Sequence, residues 1–167
     1  MEAIGLIEKM ADSKKRITEK DVLNLHAVIL DKIDSKNAGS YRQVPVFIQG
    51  SELVLPKWKK VPELMNGVYS ALNDKENGVL AIYSAVNVHH QTVRIHPFVD
   101  GNGRVSRLLM NLRLMRAGFP PTILRREERR SYYSALEKAD KGDSRPLVML
   151  VAKDAEKALD LYLGASE

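Results

Sequence analysis

The stretch from Gly101 to Ala117 constrains the fold more than any other, because it sets a helix, its starting point and the groups that stand there. Arg104 to Ala117 consists of good helix formers with Val105, Leu108, Leu109, Leu112 and Met115 at helical spacing, and Gly118 with Pro120 and Pro121 stops it. Gly101, Asn102 and Gly103 therefore stand at a helix N-terminus, where the first backbone N–H groups lack intrahelical acceptors and the dipole is positive. Glycines there let an anion approach without a Cβ in the way. Arg104 and Arg107 share one face of the first turn, where cations are unfavourable unless an anion compensates them; a multiply charged phosphate does so. Asp100 is a hard oxygen ligand suited to Mg²⁺ bridging polyphosphate oxygens. His96 is placed to take a proton from an attacking hydroxyl. Singly, each residue has an ordinary explanation: a structural His, an Asp cap, a Gly-Asn-Gly turn between helices. Jointly they are hard to derive from packing alone. Phe98, an aromatic between polar positions, is expected to anchor the loop in the core.

The rest of the chain reads as mainly helical. Periodicity predicts helices at about Glu2 to Met10, Thr18 to Ile33 with Thr18 as cap and Asp21 three residues on, Val61 to Leu72, Val79 to Arg94, Arg126 to Lys141 and Pro146 to Leu163. The exception is Gln43 to Leu55. Val44, Val46 and Ile48 alternate with Pro45, Phe47 and Gln49, Gly50-Ser51 turns the chain, and Leu53 to Leu55 runs on to Pro56, which predicts a short β-hairpin.

At 167 residues, 44% hydrophobic and 28% charged, the chain is expected to be one domain, residues 1–167, with a sizeable core. No apolar run is long enough to span a bilayer and no basic region precedes an apolar one at the N-terminus, so no membrane partner is expected. The absence of cysteine excludes disulfides and thiolate metal sites and is compatible with a cytoplasmic location. The net charge of +5, with Arg113, Arg116, Arg125, Arg126, Arg129 and Arg130 after the turn, raises the question of nucleic acid. Glu127 and Glu128 interrupt the cluster and no aromatics interleave it, so solvated helix faces or a field favouring ATP fit better.

Residues His96 to Arg107 match, at every defined position, the pattern His-x-Phe-x-(Asp/Glu)-Gly-Asn-Gly-Arg-x-x-Arg, and in this the chain resembles the Fic family. The likeness extends to Gly39-Ser40-Tyr41-Arg42, Val46 to Ser51, Leu64-Met65, Arg107 to Asn111, Ala117 to Pro121, Tyr132-Tyr133, Ala139 to Asp143 and Leu159 to Leu163. It implies a Fic fold, a helical bundle with a β-hairpin flap over the active site at about 43–55, along which a target protein is laid by strand addition. It implies transfer of AMP from ATP to a protein hydroxyl, on a target or on the chain itself. His96 is then the general base, and Asp100 holds Mg²⁺. The motif from Asp100 through Gly101, Asn102, Gly103, Arg104, Val105 and Ser106 to Arg107 binds the phosphates. Tyr132, Tyr133 and Asp140 line the nucleoside, although some relatives have Asn at the last position, and Ile48, Gln49, Gly50 and Ser51 close over it. His89, on the preceding helix, is read as a polar packing residue.

Two alternatives stand beside this reading. Some Fic-like toxins phosphorylate their targets, but they carry Ala-Asn-Lys where this chain has Gly101-Asn102-Gly103. A non-catalytic nucleotide-binding or toxin-antitoxin module would be favoured by loss of His96 or Asp100, and both are present. Many members also carry an inhibitory helix marked (Ser/Thr)-x-x-x-Glu-(Gly/Asn). Here the only Glu followed by Gly or Asn is Glu76, and Leu72 stands four residues before it, so the pattern fails. The expectation is that the lock is supplied by a separate antitoxin-like partner or was removed with a truncated N-terminus, leaving Arg107 free for ATP.

Overall fold

The structure, a computed structural model, describes residues 2–51, 53–123 and 129–164. The order along the chain is α1 (Glu2–Asp12), α2 (Glu19–Leu30), a 3₁₀ turn (Trp58–Lys60), α3 (Val61–Leu72), α4 (Gly78–Ile95), α5 (Asn102–Arg116), α6 (Arg129–Asp140) and α7 (Arg145–Gly164). No strand occurs among the described residues, and no described helix is long and apolar enough to cross a membrane.

Local signals place most of the boundaries. Thr18 caps α2: its backbone N–H and its hydroxyl both donate to the Asp21 carboxylate, at 2.8 and 2.6 Å. Pro62 falls in the first turn of α3, where its missing N–H costs nothing. α5 ends at Arg116, and Gly118 at φ 86° lets the chain leave the helix towards the two prolines.

α4 and α5 form the centre. On one side Val88 and Ile95 of α4 and Val105, Leu109 and Leu112 of α5 meet the buried faces of α1, α2 and α3. On the other side Ile82, Ala85 and Val86 of α4 and Met110 and Leu114 of α5 meet α6 and α7. A helix covered on two sides shows no single narrow apolar stripe, which is why the buried residues of α5 spread over a broad arc and leave only the face of Arg104, Arg107 and Asn111 open. Two members of the charge cluster after the turn are taken up by this architecture, while Arg129 and Arg130 are exposed. Buried Arg113 donates to Ser84 Oγ and to the Glu76 carbonyl, and Arg116 to the Lys14 and Lys15 carbonyls. Arg125, Arg126, Glu127 and Glu128, with the expected start of α6, lie outside the described residues.

The expected β-hairpin at 43–55 is corrected: the described part of this segment is an irregular loop. Its tip is a tight turn in which the Ser51 N–H donates to the Ile48 carbonyl at 3.1 Å, and Gly50 adopts φ 77°. Two physical causes override the alternating pattern. Phe47 and Val54 are each 91% exposed, so the segment has no second layer on which to bury a strand face. The carbonyls of Val44 and Pro56, at its two roots, accept from the Arg42 guanidinium instead of from the N–H groups of a paired strand.

Thr18→Ala removes only the cap and is expected to cost about 1 kcal/mol, whereas Leu109→Ala, fully buried in the core that α5 shares with α1, α2 and α3, should cost ~2–5 kcal/mol. Urea unfolding of the two variants measures both, and equal costs would contradict the central position of α5.

Candidate active site

The site is built at the junction of α4 and α5. α4 ends where His96 takes φ 49°, a left-handed conformation that swings its side chain off the helix axis. The Nδ1 of His96 lies 3.3 Å from the Val93 carbonyl. A carbonyl can only accept, so Nδ1 carries the hydrogen and Nε2 presents its lone pair. Burial pushes the His96 pKa below the ordinary 6.5, and the Arg42 cation adds to this, while the Val93 carbonyl and Asp100 oppose it. The imidazole is thus a neutral base at neutral pH.

Between His96 and α5 the loop is held from inside. Phe98 is fully buried, as expected. The Asn102 amide, 4% exposed, closes both sides of the Phe98 backbone: Oδ1 accepts its N–H and Nδ2 donates to its carbonyl, each at 2.9 Å. From α2, the His26 ring stacks on Phe98 with centroids 3.7 Å apart. Its Nδ1 accepts the Gly39 N–H at 3.0 Å, which leaves Nε2 to donate to the Asp100 carbonyl at 3.1 Å. Burial lowers the His26 pKa, in keeping with a neutral ring.

Gly101 caps α5 at φ 80°, and a Cβ there would stand 3.4 Å from the His26 ring. The N–H groups of Asn102 and Gly103 have no acceptor among the described residues, the condition for an anion site at a helix start. A Cβ at Gly103 would stand 3.3 Å from an Arg107 guanidinium nitrogen, so this glycine lets Arg107 fold back over the first turn. The Asp100 carboxylate accepts the Gly101 N–H, and its second oxygen is 3.3 Å from Arg104. Arg104 and Arg107 line an open cavity of about 700 Å³ together with Ile29, Lys32, Leu108 and Asn111. Val105 and Ser106 are buried beneath the turn, and the Ser106 hydroxyl donates to the Gly103 carbonyl at 3.1 Å.

The other expected site residues are partly brought together. Tyr132 lies against Arg107, and its hydroxyl is 2.9 Å from Nε2 of buried His89; burial pushes the phenol up to about 12. Tyr133 sits beside it, half exposed, with Arg129 above its ring. Asp140 is committed to α4: it accepts from His90 Nε2 at 2.8 Å and faces Arg94 at 3.5 Å. Ile48, Gln49, Gly50 and Ser51 form the loop tip, and no hydrogen bond joins them to the motif among the described residues. No group of three His, Cys, Asp or Glu side chains able to hold a metal ion occurs among those residues. Sequence reasoning missed His26 and the side-chain role of Asn102. Arg42, part of the Gly39 to Arg42 stretch that carries the resemblance without an assigned role, contacts the His96 backbone directly.

A proton acceptor and a helix start with unpartnered amides thus stand side by side in a helical fold. Residues 16–114 match the Fic/DOC family. The chain is 43% identical to the protein adenylyltransferase Fic of Drosophila grimshawi over 98% of its length, and 43% identical to that of Aedes aegypti over 90%. It spans 34% and 30% of those two proteins, about a third of their length. Among solved structures, Fic-1 of C. elegans superposes with a TM-score of 0.81 at 34% identity, covering 98% of this chain and 50% of that one. A Fic domain containing signaling protein of Bacteroides thetaiotaomicron gives 0.83 at 26% identity, covering 95% and 67%. The chain belongs to the Fic/DOC family.

His89 titrates with a clear sign. Burial lowers it to about 4 from the ordinary 6.5, so its neutral form supports the fold above pH 6.5 and that support is lost as pH falls towards 4. Stability should drop by roughly 3 kcal/mol over this window, and His89→Gln should remove the largest share of the drop. Urea unfolding at a series of pH values tests it; an unchanged slope in the variant would contradict the assignment.

Proposed function

We propose that the chain is a protein adenylyltransferase, transferring AMP from ATP to a Ser, Thr or Tyr hydroxyl of a protein and releasing pyrophosphate. What carries the reading is one run of chain, His96 to Arg107, that holds two amides without acceptors and an imidazole whose Nε2 has no partner among the described residues, followed by two arginines in the first turns of α5.

The phosphates rest on the Asn102 and Gly103 amides, Arg104 takes the β-phosphate and Arg107 the γ-phosphate. His96 Nε2 accepts the proton of the target hydroxyl as its oxygen bonds to the α-phosphorus. The bond from that phosphorus to the bridging oxygen breaks, and the electron pair leaves with pyrophosphate. Asp100 fits Mg²⁺: its carboxylate is an exposed hard oxygen donor beside the first amides, and a lone carboxylate suits an ion that takes most other ligands from phosphate and water. When bound, Mg²⁺ neutralises charge developing on the phosphates. Tyr132, Tyr133 and Asp140 border the nucleoside, the 48–51 turn covers it, and the 43–55 loop faces the target. The chain itself is a possible acceptor.

Among the described residues no carboxylate pairs with Arg107, in keeping with the missing inhibitory pattern. In this reading Arg107, beside the Tyr132 hydroxyl, is the group that meets the γ-phosphate, and a separate antitoxin-like partner would inhibit by occupying it.

With Mg²⁺, label should pass to protein from α-labelled and not from γ-labelled ATP. His96→Ala should cut transfer by about 10²-fold or more. Transfer of the γ label would replace AMP transfer with phosphorylation, and full activity in His96→Ala would remove the base. Because burial holds His96 below 6.5, transfer should persist down through pH 6.5 and fail only further into acid; loss of activity on the alkaline side of that value would contradict the neutral-base assignment. Arg107→Ala should weaken ATP binding by roughly 1.5 to 3 kcal/mol, as read by calorimetry. A gain of activity would reveal an internal lock.

A further inference from the structure

Arg42 is a buried cation that the reaction scheme leaves unused. It is 2% exposed, and no carboxylate lies within ion-pair distance of it among the described residues. Its partners are backbone carbonyls. Nε donates to His96 at 2.7 Å, Nη2 to Pro56 at 2.7 Å and to Ile95 at 3.4 Å, and Nη1 to Val44 at 3.2 Å. Its backbone N–H donates to the Pro97 carbonyl at 2.9 Å.

Burying a guanidinium without a carboxylate is costly. Here the cost is reduced because Ile95 and His96 end α4, where carbonyls lack intrahelical donors and the dipole is negative. Val44 and Pro56 are the two roots of the 43–55 loop. One planar fork therefore joins both roots of that loop to the residue that carries the base. His96 needs such a hold, since a left-handed non-glycine residue costs of order 1–3 kcal/mol and persists only where its surroundings over-determine it. Arg42 is the only side chain that donates to the His96 carbonyl among the described residues. A lysine, with one nitrogen on a flexible stem, cannot span these carbonyls.

We propose that Arg42 is a positioning residue that ties both roots of the 43–55 loop to the backbone of His96, holding the target-facing segment and the proton-accepting imidazole in one register. The chemistry of this inference rests on the AMP-transfer reading; its geometry rests on the hydrogen bonds alone.

The test compares the full wild-type chain with Arg42→Met and Arg42→Lys by amide hydrogen exchange, Mg-ATP calorimetry and steady-state transfer. In Arg42→Met, exchange should rise at least about tenfold at 43–58 and 95–98 and change little in α1, α3 and α7. Mg-ATP affinity should stay within about threefold while kcat falls on the order of 10²-fold, as expected for a misplaced reacting group. Arg42→Lys, which keeps the charge and loses the fork, should show the same local pattern and recover only a minor part of kcat. If Arg42→Met does not fold, Arg42→Lys carries the comparison. Unchanged kcat, full recovery in Arg42→Lys, or exchange rising alike throughout the chain with Mg-ATP affinity lost in parallel would each overturn the proposal. Should wild type fail to transfer AMP, the reaction assigned above falls, and the exchange pattern still decides whether Arg42 couples loop and His96.

Discussion

One glycine conformation and one side-chain amide decide whether this chain has a site at all. The connection from Ile95 to Asn102 has to reverse direction between two packed helices while leaving an imidazole, a carboxylate and free amides on the same side. Gly101 at φ 80° makes the reversal possible, and the Asn102 amide satisfies both polar groups of the buried Phe98 backbone, which no helix or sheet supplies with partners. Without that pair of hydrogen bonds the loop could not be buried, and α5 would have no fixed starting point.

Everything around the turn braces it. His26 from α2 fills the space beneath Gly101 and bridges the Asp100 carbonyl to the Gly39 N–H. Arg42 takes the last carbonyls of α4. Both spend their hydrogen bonds on backbone, which leaves the surface of the turn to the Asp100 carboxylate, facing Arg104, and to Arg107. Rigid support below and unsatisfied donors above is the arrangement that electrostatic preorganisation requires.

The helices were legible in the sequence because their apolar residues recur at helical spacing, and α3 runs over the expected residues, Val61 to Leu72. The turn was legible because glycine, asparagine and arginine at a helix start have few structural explanations. The braces were not. His26 meets a residue 74 positions away and Arg42 one 54 positions away, and no local pattern encodes either pairing. The hairpin failed for a related reason: alternation at Val44 to Ile48 reports local preference, while the loop's roots answer to a distant arginine. Asp140 likewise could be placed near the nucleoside only by resemblance, and its side chain is held by His90 and Arg94 of α4.

The account turns on the start of α5 as a preformed phosphate seat beside a neutral base. Backbone amide and histidine-ring spectra recorded during titration with Mg-ATP test that most directly. The amides of Gly101 to Ser106 and the His96 ring should shift together and saturate with one dissociation constant, with little change along α7. Shifts confined to α7 or to the 43–55 loop, with the Gly101 to Ser106 amides unmoved, would contradict it.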